Sequence, residues 1–519
     1  VFASFGQPNW LAAYDITLIP VGIALALQKS SRRSHIFFGF STALLFLSLL
    51  FTKSRSGLIG LGVGLAVFSI FLVLRSIQSK ERQYGFILLK GVAAFFLLFI
   101  LLSGIFGTIL TPTITEIFQS HTAHPTPVVQ TPSAAAPVNR LETGGSDSGE
   151  IRKIVWSGAI KVWKRYPIFG SGVETFAYSY YLDRPQQHNL VSEWDFLYNK
   201  AHNEFLNFLA TTGLIGLATY CLLIGSFIFL PIVTFLKPSL KAEEKEPVVL
   251  LLFPAFSAGL IALSISNFFG FSTVMVSILL FLYPAVYLIL KDEAFHSYFP
   301  LTSTEKEPLS LPQISFFIVE FFIGAGMLFS IWSMWQADHI FNRGKLEVQA
   351  QQISDGVADI EAAVQLSPRE PLFYEELGTV YAQLAPSALQ SGDATSAAQL
   401  AQLSVQSLNK MLTLNPINVN FYKSQARALL YLAQLDPRYL DQAQAALQKA
   451  TQLAPTDPKV LYNLALIESD KNLKSQSQKD LEKVLLLKPD YGAARLTLAQ
   501  LYEDVGRIED AKIQYQYIL

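Results

Sequence analysis

Apolar residues in the first two thirds of the chain fall into long runs with few polar breaks. The runs cover about 10–27, 36–51, 58–74, 86–110, 205–236, 248–268, 273–290 and 314–335. Each approaches the ~20 residues that a helix needs to cross a bilayer core, so about eight spans are expected. From Ala337 onward the pattern changes to polar, Ala/Gln/Leu-rich sequence with helical periodicity. The expected fold class is therefore all-α: a polytopic transmembrane helix bundle over 1–336, followed by a helical solenoid over 337–519.

The longest interruption, 111–200, separates the fourth and fifth runs. Its first part, 111–149, is rich in Pro, Thr, Ser and Ala and reads as loosely extended chain. Ile151, Ile154, Val155, Ala159, Val162 and Trp163 then recur with helical period, until Pro167 and Gly170-Ser171-Gly172 end the segment. Phe176, Tyr178, Tyr180, Tyr181, Trp194, Phe196 and Tyr198 form an aromatic-rich approach suited to the headgroup level. It leads to Ala201-His202-Asn203-Glu204-Phe205-Leu206, which places an imidazole and an amide where polar chain enters an apolar helix.

The tail repeats itself. Tyr374, Leu377, Gly378 and Tyr381 have the spacing of a first tetratricopeptide helix, and Leu498, Ala499, Tyr502, Gly506, Ala511 and Tyr515 return in the same register. Pro368, Pro416, Pro455 and Pro489 each follow a Leu-x pair and mark repeat ends. Arrays of this kind present surfaces to proteins or peptides.

Charge sets an orientation. Lys29, Arg32 and Arg33, then Arg75, Lys80 and Arg82, then Lys237, Lys241 and Lys245 occupy loops that alternation puts on one side, which the positive-inside rule makes cytoplasmic. The 111–200 segment and the tail then lie outside. Lys53 and Arg55 fall on the disfavoured outer side, either as a snorkelling helix-end pair or as cations that hold an anion. A formal net charge of −1 gives no pointer to nucleic acid. The single cysteine, Cys221, excludes a disulfide framework and is read as a small buried hydrophobe. His121 and His124 lie in the Pro/Thr-rich stretch without a further ligand nearby, so no metal site is assigned.

The candidate chemistry lies on the outer face. Arg55, Arg152, Lys161, Lys164 and Arg165 supply cations, and His202 with Asn203 supplies an imidazole and an amide. Such a set suits a lipid-linked diphosphate: arginines bind phosphate bidentately and stabilise the departing diphosphate, while the imidazole takes a proton from an acceptor hydroxyl or orients it.

At these residues the chain resembles the O-antigen ligase and O-antigen polymerase superfamily of bacterial envelope glycosyltransferases. Four stretches carry the likeness, which covers roughly Phe5 to Leu290: Phe5-Gly6-Gln7-Pro8-Asn9-Trp10-Leu11-Ala12; Thr52-Lys53-Ser54-Arg55-Ser56-Gly57; Arg152-x-x-x-Trp156 with Tyr166-Pro167-Ile168-Phe169-Gly170-Ser171-Gly172 and Phe176; and Ala201-His202-Asn203-Glu204-Phe205-Leu206 with Gly213 and Gly216. The first has Gln7 where Asn is usual, a departure taken to affect register and not chemistry. The resemblance implies metal-independent transfer of a glycan from undecaprenyl diphosphate to a lipid, polysaccharide or protein acceptor, without a cofactor, at the outer face of the bacterial inner membrane. It implies phosphate binding at Arg55 and Arg152 and acceptor activation at His202, and it implies further spans before Val1. Arg165 is added here as a diphosphate-binding candidate and Asn203 as a partner of the imidazole or acceptor.

Two other classes remain. A non-enzymatic membrane scaffold would use the repeats to recruit a protein partner, but gives Arg55, Arg152 and His202 no reason to converge. A transporter is disfavoured because the spans are expected to lack buried acids and broken-helix pairs.

Overall fold

The computed structural model describes residues 6–28, 31–78, 82–109, 148–236, 247–291 and 310–518. Phe5, Lys29, Lys80, Lys237, Lys241, Lys245, His121, His124 and residues 111–147 of the Pro/Thr-rich stretch lie outside them. The described residues form helices and no strands. Eight helices are long and apolar enough to cross a membrane, and they coincide with the eight apolar runs. The chain is a multi-pass membrane protein by that measure. It divides into two compact units, Val1–Phe176 with Tyr198–Ser303, and Ala177–Leu197 with Thr304–Leu519.

The first unit holds α1 (Pro8–Leu27), α2 (Arg32–Thr52), α3 (Arg55–Gln78), α4 (Arg82–Phe106), α5 (Ser148–Arg165), α7 (Glu204–Leu236), α8 (Pro247–Phe268) and α9 (Val274–Lys291). Its centre is α8, against which α1, α3 and α7 pack. Small residues permit this approach. A Cβ at Gly60 would lie 2.6 Å from the Ala262 carbonyl, and one at Gly64 2.7 Å from that of Ala258. Lipid tails are as apolar as leucine, so packing of this kind, and not hydrophobic exclusion, holds membrane helices together. Phe46 stacks on Phe99 with ring centroids 4.0 Å apart and joins α2 to α4.

Three expectations change. Cys221 is exposed on α7, where a small side chain facing lipid costs nothing. Asp15 is buried in α1, and its Oδ2 has no hydrogen-bond partner. The helix α7 is itself interrupted, with Gly213 at φ 68° and ψ −167°. The premise that the spans lack buried acids therefore fails at Asp15, while α7 supplies one broken helix of the pair that a transport site would use.

The second unit begins its own chain with α6 (Phe176–Asp183) and a short 3-10 turn, Gln186–Leu190. It continues with α10 (Leu311–Gln349), α11 (Ile353–Leu366), α12 (Pro371–Gln390), α13 (Ala394–Leu414), α14 (Val419–Leu432), α15 (Arg438–Leu453), α16 (Pro458–Asp470), α17 (Lys474–Leu487), α18 (Gly492–Asp504) and α19 (Ile508–Gln516). The 39 residues of α10 run about 60 Å without a break. Its exposed apolar first half is the last candidate span, and its second half, through Ala337, Phe341 and Gly344, packs on α11. The expected division at 336/337 thus falls inside a continuous helix. The repeats pack pairwise as expected, α12 on α13, α14 on α15, α16 on α17 and α18 on α19.

The repeats also enclose Ala177–Leu197, a piece of the long interhelical segment that the linear division assigns to the membrane part. His188 and Asn189 there are fully buried. His188 Nε2 lies 3.3 Å from the Glu193 carbonyl and Nδ1 lies 2.6 Å from the Tyr180 hydroxyl. A carbonyl only accepts, so Nε2 carries the proton and Nδ1 accepts from the tyrosine, which is the neutral ring. Burial, reinforced by the Arg184 guanidinium, pushes the imidazole down to about 4.

This sets a pH dependence. The unfolded ring titrates near 6.5, so between 6.5 and about 4 the released segment binds a proton that the docked one does not. Docking is therefore at full strength above pH 6.5 and weakens as pH falls towards 4, by at most about 3 kcal/mol. Hydrogen exchange across 178–195, normalised for the intrinsic effect of pH, is expected to accelerate over that window in the wild type. His188→Asn is expected to show a flatter profile, and a flat wild-type profile would contradict the assignment.

Candidate functional site

The site is assembled where the first unit brings four separate stretches together. Thr52-Lys53-Ser54-Arg55 makes the tight reversal between α2 and α3. Lys53 takes a left-handed conformation at φ 52°, and Ser54 Oγ accepts the Gly57 N–H at 3.2 Å as an N-cap. That puts Arg55 and Ser56 in the first turn of α3. Arg152 lies in the first turns of α5, whose buried face, Ile151, Val155, Gly158, Ala159 and Val162, follows the expected amphipathic period.

The helix that carries Arg152, α5, packs on α7, which begins two residues after His202. The Pro167–Gly172 turn locks them. It enters the break in α7, where Ser171 N–H donates to the Ala210 carbonyl at 3.0 Å and Gly172 N–H to that of Thr211 at 2.9 Å. On the other side of the break, Leu214 N–H donates to the Pro167 carbonyl at 2.9 Å and Ile215 N–H to that of Ile168 at 3.3 Å. The turn thus satisfies the backbone groups that the break leaves open, as an interrupted helix at membrane depth requires. Only glycine fits. A Cβ at Gly213 would meet the Ile168 carbonyl oxygen at 2.3 Å, and one at Gly170 the Thr211 carbonyl carbon at 2.2 Å.

His202 precedes α7 in a left-handed conformation, φ 51°, which is uncommon for a residue other than glycine. Strained positions of this sort concentrate at functional sites. Its ring meets Tyr198 and Phe271 edge-on, with centroids 5.5 and 5.4 Å away. Arg152 and His202 line one cavity of about 30 Å³, together with Gln7, Asn9, Trp10 and Ser56 and the Ser266–Phe271 turn between α8 and α9. Beside it, and sharing Trp10 and Phe271, opens an apolar groove of about 880 Å³ along Val274, Ile278 and Phe281 of α9, with the Lys200–Glu174 ion pair at its polar end.

The expected residues are not all alike in this arrangement. Arg55 does not line the cavity, although its neighbour Ser56 does. Asn203 is buried and its Oδ1 accepts the Leu206 N–H at 3.0 Å, so its visible work is to cap α7. Arg165 sits at the opposite end of α5, about 20 Å from Arg152 by helical rise, and does not reach the cavity. Gln7, treated in the sequence as a matter of register, is a lining residue. The Ser266–Phe271 turn carried no signal beyond its turn residues.

A multi-pass helical membrane domain with an arginine and a histidine in one cavity, joined to a helical-repeat array, defines the class. Residues 40–221 match the model of the family described as O-antigen ligase, and residues 458–491 match that of a tetratricopeptide repeat. The chain therefore carries an O-antigen ligase-like region followed by tetratricopeptide repeats. No curated protein matches it. Solved structures similar to part of it include the MamA protein, at 17% identity over 36% of this chain and 90% of that one, TM-score 0.28. A MamA fragment from Desulfovibrio magneticus RS-1 is 15% identical over 35% and 93%, TM-score 0.28. PilF of Pseudomonas aeruginosa is 17% identical over 36% and 76%, TM-score 0.29.

Gly213→Ala is expected to unseat the turn and destabilise the membrane unit by about 2–4 kcal/mol. Gly225→Ala, where an added Cβ meets only a phenylalanine carbon at 4.0 Å, is expected to stay within about 0.5 kcal/mol. Thermal unfolding in nanodiscs compares the two, and equal midpoints would contradict the role given to the turn.

Proposed function

We propose that this chain is a glycosyltransferase that moves a glycan from a polyprenyl diphosphate, undecaprenyl diphosphate in bacteria, to an acceptor hydroxyl of a lipid, polysaccharide or protein. The observation that carries this reading is the cavity that Arg152 and His202 share, two residues that both lie in the stretch matching the O-antigen ligase family. The acceptor oxygen attacks the anomeric carbon, the bond from that carbon to the phosphate oxygen breaks, and the diphosphate leaves with its electron pair. Its departure needs charge stabilisation, which Arg152, and Arg55 one residue from the cavity wall, supply without a metal. His202 takes the acceptor proton as general base. Asn203, by capping α7, fixes the backbone from which His202 projects.

A cavity of about 30 Å³ holds roughly one water, so the diphosphate occupies its mouth and not its interior. The adjoining groove suits the polyprenyl tail, since it is apolar and begins at the same Trp10 and Phe271. The positive-inside rule puts the reaction on the outer face of the bacterial inner membrane. The membrane region, about 1–336, is the catalytic part and the repeats from 337 serve binding.

Purified protein is given polyprenyl-diphosphate glycan with candidate acceptors. His202→Ala is expected to lower transfer by about 10²–10⁴-fold while donor binding persists. Arg152→Lys is expected to weaken both, because the ammonium keeps charge but loses the bidentate fork. Near wild-type transfer by folded His202→Ala protein would remove the catalytic assignment.

A further inference from the structure

The repeat ends create a chemical demand. Pro416, Pro455 and Pro489 stop the chain shortly after α13, α15 and α17, and the last carbonyls of each helix are left without intrahelical donors. Side chains of 177–197 meet that demand at the end of α17 and also reach a carbonyl of the turn that follows α15. Gln186 Nε2 donates to the Leu486 carbonyl at 2.7 Å. Asn189 Nδ2 donates to the carbonyls of Thr456 at 2.9 Å and Leu487 at 3.4 Å. The contacts are reciprocal: Lys488 Nζ donates to the Asn189 carbonyl at 3.0 Å, and Thr456 Oγ1 to that of Arg184 at 3.1 Å. The Lys488 ammonium also lies 4.7 Å from the centre of the Trp194 ring. Tyr181 fills an apolar seat made by Val419, Ala450, Ala454 and Val460.

Asn189 is fully buried, and its Oδ1 is taken by Arg184 at 2.7 Å. An amide that donates to two carbonyls and accepts from a guanidinium is read at both ends. Aspartate would present oxygens to the two carbonyls, and alanine would leave them unpaired.

We propose that the turn edge of the repeat array is a recognition surface for an asparagine-centred loop, and that its resident ligand is residues 178–195 of this same chain. The array thereby clamps the stretch of chain between the Arg152 helix and His202. A tethered ligand acts at an effective concentration up to about millimolar, so in the wild type it excludes a micromolar competitor.

The test uses the full-length protein and a fluorescein-labelled peptide of residues 177–197, followed by anisotropy. Asn189→Ala vacates the edge and is expected to bind the peptide at least tenfold tighter than the wild type. A peptide carrying the same Asn189→Ala change, or the protein carrying Asn189→Ala with Lys488→Met, is expected to lose that binding. Equal binding by wild type and Asn189→Ala protein, or none by either, would overturn the proposal. Lys488→Met alone leaves the loop sequence native and is expected to speed hydrogen exchange across 178–195 at least tenfold; unchanged exchange would likewise overturn it. Neither readout uses glycan transfer, so the outcome is independent of the proposed reaction.

Discussion

The membrane site depends on a turn seated in a broken helix. At Gly213 the hydrogen-bond ladder of α7 is interrupted, and Pro167–Gly172 supplies the missing partners on both sides of the break. Each seated backbone group in apolar surroundings would otherwise cost a substantial fraction of a domain's net stability. The turn ends the α5 segment and the break lies one helical stretch beyond His202, so the same hydrogen bonds that make the interruption tolerable also fix Arg152's helix against His202's. Close packing of α1, α3 and α7 on α8 gives that pair a rigid support, and Asn9, Trp10 and Ser56 arrive at the cavity from the ends of α1 and α3.

Chemistry and packing follow different logics on the two units. In the membrane unit, small residues set how near backbones come, and a few polar side chains gather at helix ends. In the repeat unit, ordinary burial of Ala, Leu and Tyr faces stacks the helix pairs, while proline-terminated turns expose carbonyls that a buried Asn189 and Gln186 then satisfy. Polar satisfaction is the common requirement: a turn meets it in α7, and a loop meets it along the repeats.

Much of the fold was legible because its signals are local and periodic. Twenty-residue apolar runs, the buried stripe of α5 and the recurring Leu-Gly/Ala-x-x-Tyr spacing each constrain one helix at a time. Arg152 and His202 were singled out through motifs and line one cavity, whereas Arg55, expected to converge with them, does not line it. Arg165 was chosen for its charge alone, and α5 carries it at the end away from Arg152. Asn203 looked chemical, yet its side chain caps a helix, a role that the same residue type fills equally well. The Ser266–Phe271 turn and the docking of 177–197 were illegible, since both depend on contacts between segments far apart in the chain. Asp15 was overlooked because one acid in an apolar run hardly lowers its mean hydropathy.

The seating of the turn is most directly measured by residue-resolved hydrogen exchange at Ser171, Gly172, Leu214 and Ile215 in nanodiscs. A seated turn requires that all four amides exchange as slowly as those of the buried part of α8, because each donates to a carbonyl across the break. Exchange of Ser171 and Gly172 at the rate of an open loop would contradict it, and with it the physical link between Arg152 and His202.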